Sequence, residues 1–227
     1  MRNLKITLFT IIFSTTGLFA IGGIGLQLGQ SSFSVTESTD SDIPGVTLTN
    51  GSFDGAYVFG GYLYIDAIPF IDLEVDANLR GNKYEINFVN DFGPMEPIKF
   101  GWASADVYYT LRKKVVGLSI PFLAGAKLHA GGGYNTHVTT PLADIDMITK
   151  LLDGDLSQGD PSALEDNLED YLKDNKIEAS GFHFQTGLQF KLLMLDTFLN
   201  YRYTIVEDVV PDASGFGSIN LRIGFGI

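Results

Sequence analysis

The stretch "FIDLEVDANLR", residues 70–80, alternates with period two: Ile71, Leu73, Val75, Ala77 and Leu79 are apolar, and Asp72, Glu74, Asp76, Asn78 and Arg80 lie between them. Successive side chains of a strand point to opposite faces. One face of this segment is therefore greasy and the other carries three acids. The fold depends on which face is inside.

The same alternation recurs along the chain. Ile24, Leu26 and Leu28 alternate with glycine and glutamine, and residues 55–66 read "GAYVFGGYLYID". Phe100–Arg112, Leu118–Gly131, Gly181–Leu192, Leu195–Val206 and Ser218–Ile227 follow the pattern. With residues 24–28, 55–66 and 70–80 that makes eight strands. Connections at 67–69, 113–117 and 193–194 are short, whereas those at 31–54, 81–98, 132–180 and 207–217 are long. In a meander, alternate connections emerge at the same end, so short turns share one end and long loops the other. Past Gly81-Asn82 the apolar positions become Tyr84, Ile86 and Phe88, one residue out of phase with Leu79. A glycine bulge or a strand running on into a loop accounts for this better than a hairpin turn.

Two barrels satisfy the alternation. A soluble, lipocalin-like barrel is apolar inside; a transmembrane barrel is apolar outside and polar in the lumen. The inverted arrangement is favoured here, for several reasons. Arg2, Lys5 and the uncharged run Ile6–Ala20 read as a cleaved signal peptide over 1–20, leaving a barrel domain over 21–227. The polar stripe carries charge in mid-strand: Asp72, Glu74, Asp76 and Asp106 against Arg80, Arg112, Lys127, Lys191, Arg202 and Arg222. Four acids facing six bases suit a closed interior in which charges must pair. His129 and His183 are placed at the lumen rim. The fold expected is all-β: an eight-stranded antiparallel up-and-down transmembrane β-barrel with a helical insertion in its third long loop.

"GFHFQTGLQFKLLMLDTFLNYRYT" (181–204) with "INLRIGFGI" (219–227), and "IPFLAGAKLHAGGGY" (120–134), resemble the strands of small outer-membrane β-barrels of the OmpA/OmpW type. That resemblance implies an outer-membrane location in a Gram-negative envelope. It also implies membrane lipid and lipopolysaccharide as surroundings and delivery by the outer-membrane assembly machinery. Members of that class usually end in Phe, whereas this chain ends in Ile227 with Phe225 two residues earlier.

Within 132–180, "SALEDNLEDYLKDN" (162–175) has a capping-box pattern at Ser162 and Glu165 and an apolar face at Leu164, Leu168, Tyr171 and Leu172. Residues 144–154 form a shorter helical candidate. The loop is strongly acidic, and Asp144, Asp146, Asp153, Asp155, Glu165, Glu169 and Tyr171 are its candidate contacts for a partner outside the cell.

The net charge of −12 argues against nucleic acid, and the absence of Cys rules out disulfides and thiolate metal sites. No nucleophile elbow, phosphate loop or zinc-protease motif occurs. No cofactor or metal is expected, and Asp106 with His129 is the one dyad worth checking. The function expected is non-enzymatic: structural, or a porin-like narrow passage with a charge-paired lumen. The alternatives are a surface binding module using 144–176, a soluble barrel and, last, an enzyme at the rim.

Overall fold

A computed structural model describes residues 22–66, 71–120, 123–151, 168 and 171–226. The expected signal segment lies outside these. Eleven strands and one helix are described. They are β1 (Gly22–Val35), β2 (Ser38–Asp40), β3 (Thr47–Asn50), β4 (Phe53–Ile65), β5 (Asp72–Asn90), β6 (Gly93–Pro94), β7 (Ile98–Ile120), β8 (Ala124–Thr139), α1 (Ile145–Leu151), β9 (Ile177–Leu192), β10 (Leu195–Val210) and β11 (Ala213–Gly226).

Eight of the strands close a ring. β1 pairs with β4, β4 with β5, β5 with β7, β7 with β8, β8 with β9, β9 with β10 and β10 with β11. β11 returns to β1, with Leu28 opposite Leu221, and every pairing is antiparallel. The short strands β2, β3 and β6 extend the wall at the loop end, where β3 takes over pairing with β5 after β4 has ended.

Along the middle of the ring the charged stripe is inside. Glu74, Asp76, Asn78 and Arg80 are buried, while Ala77 and Leu79 of the same strand are exposed and Leu73 and Val75 are half-covered by neighbouring strands. The outer surface is an apolar belt that includes Ile24, Leu26, Phe59, Leu188, Leu199, Leu221 and Ile223. On β10 the outward run goes from Leu195 to Ile205, eleven residues, which matches the roughly 9–11 a tilted strand needs to cross hydrocarbon. A soluble barrel would have the opposite polarity over this span.

The strands continue past the belt. β5 has 19 residues and β7 has 23, about twice a membrane crossing. In the extension the polarity reverses. Tyr84, Ile86 and Phe88 are buried while Lys83, Glu85 and Asn87 are exposed. With Val35, Leu48, Phe53, Trp102, Val206, Val209 and Phe216 they form an apolar core that fills the loop end. Ala143, Ile145, Met147, Ile148 and Leu151, from the β8–β9 connection and α1, close it from above.

Of the readings of Gly81-Asn82, the strand running on into the loop end holds, and the bulge does not. The β5–β7 register runs without a break from Arg80↔Ser104 through Asn82↔Trp102 to Tyr84↔Phe100. Neither a bulge nor a turn lies there. Even-numbered residues point inward throughout, and the outer medium changes instead. At 113–117 the cause is a different one. The expected connection is instead strand, broken only by a register shift between Lys114 and Val116, and the hairpin turn lies beyond Ile120. That bulge moves the outward phase from Tyr109 and Leu111 to Val116, Leu118 and Ile120 and so keeps apolar side chains outside.

Two loop boundaries also change. β8 runs to Thr139 and β9 begins at Ile177, so the long interruption is narrower than 132–180. The expected loop at 207–217 is mostly hairpin, with Val210 opposite Ala213. Pro211 and the left-handed Asp212 make the turn, and Asp208 sits at an irregularity below it. A second register shift, between Ser31 and Ser34, falls opposite Gly55, whose φ of +62° suits glycine. The expected helix at 162–175 falls largely outside the described residues; 168 and 171–174 are helical. Among the described residues no helix is long and apolar enough to cross a membrane.

Candidate functional site

The interior of the ring is a network of ion pairs built on β5. Glu74 and Asp76 project inward two residues apart, and both are fully buried. Arg222 from β11 lies between them, with Nη1 2.8 Å from Glu74 and Nη2 donating to Asp76 at 2.6 Å. Its Nε donates to Gln27 Oε1 at 2.7 Å. Arg202 from β10 pairs with Asp76 and donates from Nη2 to Gln185 at 2.6 Å. Arg112 from β7 donates to Glu74 at 2.9 Å and reaches Asp66 at 3.2 Å and Asp72 at 3.7 Å. Lys127 stands 4.0 Å from Asp66 at the turn-end mouth. Four bases thus meet four acids: Arg112, Lys127, Arg202 and Arg222 against Asp66, Asp72, Glu74 and Asp76.

A second pair lies nearer the loop end. Arg80 donates to Asp106 at 2.6 Å, and Asn78 donates to the other oxygen at 2.7 Å. Arg80 also donates to Ser31 Oγ at 2.8 Å and lies over the Phe216 ring, 4.8 Å from its centroid. Phe216 belongs to the loop-end core, so Arg80 marks the seam between charged and apolar interiors.

Aromatic faces stabilise the cations further. Arg112 lies over Tyr64 at 4.6 Å, Arg222 over Tyr62 at 5.1 Å and Arg202 over Tyr108 at 4.0 Å. Tyr62, Tyr64 and Phe198 pack together at the turn end, and Tyr64 donates to Asp196, which also accepts from Gln189 at 3.0 Å. Sequence reasoning assigned roles to none of Asp66, Asp196, Tyr62, Tyr64, Tyr108, Gln27 or Gln185. The alternation in "GAYVFGGYLYID" was the available signal: it places Tyr62 and Tyr64 opposite Leu63 and Ile65. Lys191, expected in the network, is only half-buried and forms no ion pair with another described residue.

The Asp106–His129 dyad does not form. His129 is opposite Gly187 and His183 opposite Gly133, so the two do not meet. His129 lies 3.8 Å from Asp72, towards the turn end. Asp106 faces His137 in the register, not His129. His137 and His183 instead pack edge-on against Tyr108, at 5.6 and 4.9 Å. His183 Nε2 is 2.8 Å from Thr110 Oγ1, and His137 Nε2 donates to Asn135 at 3.0 Å. Asp106 accepts from Arg80 and Asn78 and does not face His129. Among the described residues no group of three His, Asp or Glu is placed to hold a metal ion.

At the loop end, Asp144 caps α1 by accepting from Met147 N at 2.6 Å. The cap is tied to the barrel where Asn50 donates to Ala143 O at 2.7 Å and Ala143 N donates to Tyr84 Oη at 3.0 Å. Burial pushes the Tyr84 hydroxyl up to about 12, so it stays neutral, and its oxygen accepts the Ala143 N–H. Asp146 pairs loosely with Lys150 at 3.7 Å, and Lys150 lies 5.4 Å from the centre of the Tyr171 ring, which packs against the apolar core. Lys176 pairs with Glu178 at 2.7 Å and holds that carboxyl below its usual range. Asp153, Asp155, Glu165 and Glu169 lie outside the described residues.

No family model and no curated protein matches the chain. Several solved structures do. The attachment invasion locus protein Ail of Yersinia pestis is 9% identical, with 91% of this chain and 97% of that chain covered and a TM-score of 0.39. The outer membrane protein OprG from Pseudomonas aeruginosa is 10% identical, covering 90% and 92% with a TM-score of 0.46. The N-terminal β-barrel domain of Pseudomonas aeruginosa OprF is 8% identical, covering 91% and 99% with a TM-score of 0.38. At these identities the similarity to small outer-membrane β-barrel proteins is one of fold alone.

Proposed function

We propose that the chain is a non-enzymatic outer-membrane β-barrel whose interior is closed and whose loop end forms a stable platform outside the membrane. The observation that carries this reading is the exterior of the ring. It is apolar over one bilayer thickness and polar beyond it at the loop end, while the interior changes in the opposite sense. A strand wall with that exterior is soluble in neither water nor lipid alone, and it fits the boundary between them.

Of the two roles expected for such a barrel, the structural one is favoured over solute passage. Arg202 and Arg222 cross the interior to acids on β5, Arg112 joins them from the adjacent β7, and Trp102, Phe53 and Leu48 fill the loop end above them. An ion entering would have to displace both layers. Planar-bilayer recording tests this: the wild-type chain is expected to give no steady conductance. Regular single-channel steps from purified protein would restore the passage reading.

A second reading places partner binding on the loop-end surface. Phe92, at the tip of the β5–β7 connection, is 83% exposed beside Asp91, and the acidic α1 segment is anchored next to the barrel by Asn50 and Tyr84. In this reading lipopolysaccharide surrounds the belt, the assembly machinery receives the last strand, and an extracellular partner meets the acidic loop. Deleting 144–176 tests it; undiminished attachment of the bearing cells to their surfaces would remove the loop from consideration.

A further inference from the structure

Most of the belt is paved with large side chains, but a stretch across β4, β5 and β7 is not. Gly61 lies opposite Ala77, and Ala77 opposite Val107; one step towards the loop end, Leu79 lies opposite Ala105. The result is a groove of about 500 Å³ on the outer face, walled by Phe59 and Leu79 and floored by Gly61, Ala77 and Val107. Two small residues continue the same face upward: Gly81 lies opposite Ala103, and beyond them Lys83 lies opposite Gly101.

Packing does not require Gly61 or Gly101. A Cβ on Gly61 would meet only Gly25 O at 3.5 Å, an ordinary contact, and one on Gly101 would meet nothing within 4 Å. Neither has a backbone angle reserved for glycine. The depression is therefore open space on the membrane face that larger side chains could fill without disturbing the barrel.

Past Gly81 and Ala103 the same face carries positive charge. Lys83 and Lys99 are both exposed on this face, and neither forms an ion pair among the described residues. Glu85 stands opposite Lys99 in the register but outside pairing distance, so the local balance is one positive charge. From Ala77 to Lys83 is six residues, about 20 Å along the strand. Tilted by roughly 45°, that rises about 14 Å, close to half the hydrocarbon thickness of about 30 Å. An acyl chain reaching the bilayer midplane at Ala77 would place its headgroup beside Lys83.

We infer that this groove is a site for the phosphorylated acyl glycolipid of the outer leaflet, the lipid A part of lipopolysaccharide. One chain lies over Gly61, Ala77 and Ala105, and a phosphate meets Lys83 and Lys99. The inference rests on the membrane-spanning reading and on the loop end facing outward.

Native mass spectrometry of the full chain in detergent, mixed in turn with lipid A, phosphatidylglycerol and phosphatidylethanolamine, tests the site. Wild type should retain lipid A in preference to both phospholipids. The double substitution Lys83→Glu with Lys99→Glu should lower retention about 10-fold or more, since each lysine near a lipid phosphate contributes several-fold. Ala77→Leu with Ala105→Leu, which fills the groove, should lower it comparably, with heat-modifiable gel mobility showing that both variants stay folded. Unchanged retention in both variants overturns the site, as does equal retention of phosphatidylglycerol. A wild-type dimer broken by the groove-filling pair would assign the groove to a second copy instead. Failure of the wild type to insert into vesicles would overturn the membrane reading itself, whereas insertion without lipid preference overturns only the site.

Discussion

β5 passes through two interiors with one unbroken register, and the two are opposites. Over Asp72–Arg80 its inward residues are acids, an amide and an arginine, and its outward residues are aliphatic. Over Tyr84–Phe88 the inward residues are Tyr, Ile and Phe, and the outward ones are Lys83, Glu85 and Asn87. Backbone geometry is the same in both halves; what differs is the medium outside. In the span, lipid takes the apolar face and the charges are left to neutralise one another inside. At the loop end, water takes the polar face and apolar side chains bury each other in the ordinary way. The two halves should therefore fail for different reasons when substituted.

The largest effect is expected in the charged half. Arg222→Ala leaves Glu74 and Asp76, both fully buried, sharing Arg112 and Arg202. Removing one partner of a buried ion pair costs about 3–5 kcal/mol. Urea unfolding of the barrel in lipid vesicles should register that loss; a change under 1 kcal/mol would mean that water fills the interior.

Trp102→Ala should cost about 3–5 kcal/mol as a core cavity, but locally. Trp102 packs on Phe33 at 5.4 Å and Phe53 at 6.0 Å, all above the ion pairs. Hydrogen exchange should quicken at 84–88 and 98–102 and stay slow at 73–79. Uniform quickening would show that the two interiors form one cooperative unit.

On the outer face, Ala77→Arg places a charge near the bilayer midplane and should cost about 2–4 kcal/mol. Asn87→Arg, on the same strand face in water, should be within about 0.5 kcal/mol of wild type. Equal penalties would erase the distinction between the two media. The smallest effect concerns the loop-end cap: Asp144→Ala should cost about 1 kcal/mol through loss of the α1 cap, read as faster exchange at Met147.

Eight alternating segments and their inverted polarity were legible because the period and the mid-strand charges are both written in residue order. The acids of residues 70–80 did meet bases from other strands, although Asp66 and Asp196 also entered the network. Two phase changes in the sequence have different physical causes. At Gly81-Asn82 the apolar phase slips because the solvent changes, with no change in the backbone. At 113–117 it slips because of a real bulge between Lys114 and Val116. A sequence records only that the apolar phase has moved, and both causes move it by one residue. His137 went unnoticed as the neighbour of Asp106 because β8 extends to Thr139, and cross-strand partners follow from strand ends. The aromatic supports Tyr62, Tyr64 and Tyr108 were hidden because tyrosine is common on both faces of such barrels, at Tyr57 and Tyr203 as well as inside.

The most direct test is a cysteine scan of the outward face of β5, which is simple because the chain has no native Cys. Single cysteines at 73, 75, 77, 79, 83, 85 and 87 would each carry a spin label, and collisions with oxygen and with a water-soluble nickel chelate would be compared in lipid vesicles. The expected result is oxygen-dominated relaxation at 73–79 and nickel-dominated relaxation at 83–87, with the crossover at Gly81. A face that is water-accessible throughout, or lipid-accessible throughout, would contradict a barrel whose two interiors are set by two different exteriors.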